Sequence, residues 1–123
     1  MSKHRVPRTG RPMLAFFGDL IARKESDLSA EDGAHEFSVN LFRTEAPGYV
    51  LAVHYRNETA EHYWAAHTAT RLEVAGLFDR YVTEGGPGSA AVSTFRQTMQ
   101  AVMLQAPELD EMVQWSSVVA NDQ

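Results

Sequence analysis

The sequence predicts an α+β domain: an antiparallel meander of about four strands followed by about three helices packed on one face. Three observations carry this. Apolar and polar residues alternate through the first half of the chain, as half-buried strands require. A 3.6-residue apolar period takes over in the second half. The two patterns are segregated rather than interleaved, which excludes a parallel βαβ sheet. Length sets the scale: 123 residues, 44% of them hydrophobic, make one domain with one adequate core.

Residues 1–12 read as a flexible basic arm, stiffened locally by Pro7 and Pro12, in front of a single domain at 13–123. Residues 13–25 fit two patterns. Met13, Phe17, Leu20, Ile21 and Lys24 make a helical stripe. With period two, Phe16, Gly18, Leu20 and Ala22 share one face. Two aromatics followed by glycine suit a bulged strand, the reading favoured here because the strands that follow need a partner. A loop is expected over 27–33, closed by an Asp-Gly turn.

The clearest strand is 35–44, where Phe37, Val39 and Leu41 alternate with Glu36, Ser38 and Asn40. A turn at 45–48 leads into a strand at 49–56 with Tyr49, Leu51, Val53 and Tyr55 on one face. The two apolar sets share a face only if the connection has an odd number of residues, so a three- or five-residue loop is expected, with Gly48 in a left-handed position. A polar stretch at 57–61 precedes a fourth strand at 63–69, where Trp64, Ala66 and Thr68 face one way. Thr70 and Glu73 match a capping box. A helix over 71–83 buries Val74, Leu77, Phe78 and Tyr81. The glycine-rich 85–88 ends it, and Ser89 caps a second helix carrying Val92, Phe95, Met99, Val102, Met103 and Ala106. Pro107 divides it from a third helix with Leu109, Met112 and Val113 inward.

Charge is distributed unevenly. The net charge is −5, yet Lys3, Arg5, Arg8 and Arg11 precede the first acid, Asp19. The remaining seven basic residues face sixteen acids. The body repels polyanions while the N-terminus attracts them. Within it, Pro7-Arg8-Thr9-Gly10-Arg11-Pro12 resembles an AT-hook, whose core is Pro-Arg-Gly-Arg-Pro; here Thr9 is inserted. The resemblance implies an extended arm with arginines in the narrow minor groove of A·T-rich DNA. The apolar run at 13–17 is broken by Gly18 and Asp19, unlike a secretory signal.

Other chemistries are thinly represented. Absence of cysteine removes disulfides, thiolate metal sites and a cysteine nucleophile, and it fits a cytoplasmic location. His35, His54, His62 and His67 lack helical ligand spacing, though His54 and His67 could meet across strands. No nucleophile elbow surrounds Ser38, Ser93 or Ser116. Residues 84–89 precede a helix start but lack the Lys-Ser/Thr of a P-loop. Tyr49, Tyr55, Tyr63 and Trp64 would form a stacking platform if exposed. Phe42, Val50, Ala52 and His54 make the second sheet face too apolar for water, so it is expected to be either a ligand surface or an oligomer interface, with Phe42, His54 and Trp115 at the interface of a homodimer. The chain therefore reads as a non-enzymatic binding or regulatory protein, with Arg5, Arg8 and Arg11 contacting nucleic acid and no cofactor. The alternative is a protein–protein adaptor or inhibitor acting through the acidic body. An enzyme or metal-binding domain using His54 or His67 ranks third.

Overall fold

The computed structural model describes residues 1–30, 33–45, 48–84 and 89–106. It contains five strands in meander order: β1 (Ser2–Arg8), β2 (Arg11–Ala30), β3 (Gly33–Thr44), β4 (Tyr49–Asn57) and β5 (Glu61–Thr68). A 3-10 turn (Arg71–Glu73) leads into α1 (Val74–Glu84), and α2 (Ser89–Gln105) follows. The α+β class and the antiparallel meander are as expected, but the described residues hold five strands and two helices. The expected third helix, the glycine-rich 85–88 and Trp115 lie outside the described residues.

The additional strand is the segment expected to be a flexible arm. β1 pairs antiparallel with the first half of β2, from Ser2↔Gly18 to Arg8↔Arg11. Thr9 and Gly10 turn the chain. Gly10 has φ 75°, the positive value a two-residue turn of this kind needs at its second position. An AT-hook lies extended; here the same residues reverse direction. Pro7 costs little because β1 is the first strand of the meander, with an edge free of the ladder.

β2 has 20 residues against the 13 of its sequence pattern, because it starts at Arg11 and because residues 27–30, expected in a loop, continue the ladder to Ala30↔Gly33. A bulge between Leu20 and Ala22 changes its phase. Before the bulge, Leu14, Phe16 and Gly18 face inward. After it, Ala22, Lys24 and Ser26 oppose Leu41, Val39 and Phe37 on the outer face. The strand is as expected, but the bulge falls after Leu20 rather than at Phe16-Phe17-Gly18, and its switch of faces parts Ala22 from Phe16. Beyond residue 18, β2 has outrun β1. Gln105 of α2 satisfies the exposed backbone there: Arg23 N–H donates to its side-chain oxygen at 3.0 Å, and its amide donates to Arg23 O at 2.9 Å.

The β3–β4 hairpin has the expected odd connection, with Arg43↔Tyr49 the last ladder pair and Phe37↔Tyr55 on the same face. Gly48 has φ 156°, positive but far from the left-handed helical value. A side chain there would meet Thr68 O and His67 Nε2. Asn57 ends β4 by accepting from Thr59 N–H at 2.9 Å and Ala60 N–H at 2.7 Å. The capping box forms differently from its sequence pattern: Thr70 Oγ1 donates to Glu73 Oε1 at 2.9 Å, side chain to side chain. A tighter 3-10 turn occupies the place of the first helical turn.

Two cores result. The outer one joins Phe37, Val39, Leu41, Leu51 and Val53 to Val74, Leu77 and Tyr81 of α1 and Phe95, Met99 and Val102 of α2. The inner one joins Val6 to Phe42, Val50 and Ala65, with Leu14, Phe16 and Ala52 at its margin. The sheet curls until β1 meets β5, where Thr9 N–H donates to Tyr63 O and Tyr63 N–H donates to Thr9 Oγ1, both at 2.8 Å. The result is nearly a barrel, helices outside, with the second core within.

Candidate functional site

The strand period of two splits β1 by parity. His4 and Val6 point inward, where the His4 ring lies 4.7 Å from that of Phe42 and 5.4 Å from that of Phe16. Lys3 and Arg5 point outward and are exposed. Their partners on β2 are Phe17 and Ala15. Among the described residues, helices cover β2 only beyond its bulge, through Arg23 and through Ser26, which accepts from Thr98 Oγ1 at 2.8 Å. These residues leave the outer face of the β1–β2 ribbon open. Phe17 is 51% and Met13 58% exposed there. A basic row and an apolar row run side by side.

Of the three arginines expected to meet nucleic acid, Arg5 lies on this open face. Arg8 and Arg11 stand opposite each other at the turn. Arg8 Nε donates to Pro12 O at 2.8 Å, which holds its stem across the turn. The arginines are therefore brought together, but on a fixed hairpin rather than a tether. Side chains two apart on a strand lie about 7 Å apart.

The other expected sites are rearranged. Phe42, expected at an interface, is 7% exposed, because β1 closes over it. Tyr49, Tyr55 and Trp64 are equally buried, so no stacking platform forms on β4 and β5. His67 pairs with Val50 while His54 pairs with Tyr63, two ladder positions apart on that face, and the two histidines do not converge. Among the described residues no group of three His, Asp or Glu side chains is placed to hold a metal ion.

The inner face does assemble one polar network at its open end. The register sets Glu25, Ser38, His54 and Tyr63 in one row, and Asp27, Glu36, Arg56 and Glu61 in the next. His54 stacks on Tyr63 at 4.3 Å with 7° between the planes. His54 Nε2 lies 2.9 Å from Glu61 Oε1, and the Tyr63 hydroxyl donates to the same oxygen at 2.7 Å. These two bonds, Tyr63's first, hold the Glu61 carboxyl below its ordinary range. Arg56 grips Glu36 with Nε at 2.9 Å and a second, shorter contact from Nη2. Sequence reading missed Glu25 and Asp27 as members, because it placed the first in an ambiguous segment and the second in a loop.

No protein family, curated protein or solved structure matches this chain.

Proposed function

We propose that this protein is a non-enzymatic binding domain that engages nucleic acid through the outer face of its β1–β2 ribbon. One observation carries the reading: Lys3 and Arg5 are displayed on a rigid strand directly beside exposed Phe17, with Arg8 and Arg11 closing the same hairpin. Cations track phosphates, and an open aromatic ring accepts an unpaired base of any identity. The combination favours single strands. The acidic remainder of the chain repels the polyanion elsewhere and so fixes which face approaches it.

The test is fluorescence anisotropy of labelled single-stranded and duplex DNA against the full chain. Deleting residues 1–12 is the wrong control, since it removes β1 from the inner core. The double variant Lys3→Glu, Arg5→Glu changes only exposed positions. If all four cations meet phosphates of a single strand, affinity falls roughly 50-fold from 50 to 200 mM salt, and the variant lowers the salt slope by about 0.7 for each phosphate no longer neutralised. Binding unchanged in the variant overturns the assignment.

The exposed Met13 and Phe17 support a second reading, a protein partner on the same ribbon, including a second copy of this chain. In that case association survives the charge reversal and is abolished by Phe17→Ser.

A further inference from the structure

The ribbon leaves the inner face of the sheet without a role. At its open end lies a cavity of about 450 Å³ between β2, β3 and β4. That volume falls within the range of small-molecule sites. Its walls carry Glu25, Asp27, Glu36, Ser38, His54 and Arg56. A second cavity of about 120 Å³ adjoins the inner core, against Val6, Phe42, Ala52 and Tyr63. His54 lines both. Its ring is held in place there by stacking on Tyr63 and by the bond to Glu61.

We propose that this pair of cavities binds a small alkylammonium compound, its cationic head in the outer cavity and its short apolar tail in the inner one. The carboxylates alone would be a solvated acidic face. What distinguishes this one is the apolar cavity adjoining it across a fixed imidazole. The sign of the head follows from the walls. Three carboxylates meet one guanidinium, and that guanidinium is committed to Glu36. Arg23, two residues before it on the same face of β2, pairs with Glu25 at 2.5 Å. With both pairs counted, Asp27 still leaves the mouth negative. Size follows from the inner cavity, which equals about four waters at roughly 30 Å³ each, space for a tail of four to five carbons. An anionic head would face Asp27 and Glu25, and a neutral one would forfeit the charge.

The test is a two-dimensional amide NMR titration of the full chain with n-pentylamine at pH 7, alongside pentanoate and 1-pentanol. The expected result is saturable shifts at both Arg56 and Ala52, with a dissociation constant of about 1 mM, as six heavy atoms allow. Pentanoate should bind at least tenfold more weakly, by the order of magnitude that one charge-assisted bond is worth. The double variant Glu25→Gln, Asp27→Asn alters two exposed side chains without changing their shape, and it should weaken the amine several-fold while leaving the spectrum folded. Equal binding of pentanoate overturns the cationic head. Shifts confined to the mouth overturn the apolar tail. No saturable shift overturns the site. None of these outcomes bears on the ribbon, which lies on the opposite face.

Discussion

Val6→Ala decides whether the N-terminus belongs to the fold. Val6 is 9% exposed and packs on Phe42, Val50 and Ala65. Removing the two methyl groups forfeits about 0.8 kcal/mol for each carbon taken out of the core. The cavity left behind adds to this, because the sheet on either side is held by its ladder and collapses only in part. The expected loss is about 2 kcal/mol. For a chain of this length that lowers Tm by roughly 6–10 °C. The assay is urea unfolding followed by far-UV circular dichroism, with the slope checked for constancy so that the shift in midpoint reports stability. Lys3→Ala, on the same strand but pointing outward, is the control and should stay within about 0.5 kcal/mol of the parent. If the two variants unfold together, β1 contributes nothing to the core, and both the second core and the ribbon built on β1 fail with it.

Two further outcomes follow from the polar groups. Tyr81 is fully buried, and its hydroxyl has no hydrogen-bond partner among the described residues; burial drives its pKa upward. Tyr81→Phe should therefore be neutral or up to about 1 kcal/mol more stable in urea unfolding, and a loss of that size would mean the hydroxyl is satisfied. Tyr63→Phe removes the stronger of the two bonds on Glu61, whose pKa is depressed in the folded state. A depressed carboxyl contributes stability above its unfolded pKa and loses it as pH falls through the folded one. The variant should move Glu61 back up toward the ordinary value, so that this contribution disappears at a higher pH. Carboxyl carbon NMR of Glu61 measures it, and an unmoved titration contradicts the assignment.

The parts of the fold legible in the sequence are those where burial and period coincide. Phe37, Val39 and Leu41 against Leu51, Val53 and Tyr55 specify a register, because a one-residue slip would turn every one of them outward. Val74, Leu77 and Tyr81, and Phe95, Met99 and Val102, specify helix faces in the same way. β1 is illegible because one apolar residue, Val6, is all it buries, and three basic residues and a proline surround it. Its signal lies elsewhere, in the apolar Phe42, Val50 and Ala52 of the second face. By pattern alone that surplus suggests an interface; in the fold it is the imprint of a missing strand. The inner-face network is illegible for a related reason. Its members alternate correctly on β3, β4 and β5, but Glu25 and Asp27 join them only after the bulge has reversed the phase of β2.

Binding and stability are separable on β1. The strand has two occupations, and its period assigns them to alternate positions. His4 and Val6 serve the inner core, while Lys3 and Arg5 serve the open face. Substitution at even positions should lower stability and leave the charge presented to a polyanion unchanged; substitution at odd positions should do the reverse. Truncation merges the two effects, so a loss of binding after truncation would carry no information about which side chains touch the ligand. The same parity holds across the hairpin, where Leu14 and Phe16 flank the core and Met13 and Phe17 stand open. A set of four single variants, Lys3→Ala, Val6→Ala, Phe16→Ala and Phe17→Ala, measured for both Tm and oligonucleotide affinity, should therefore fall into two pairs. A set in which both quantities decline together would mean that the ribbon reports on folding, and that its basic row has no separate function.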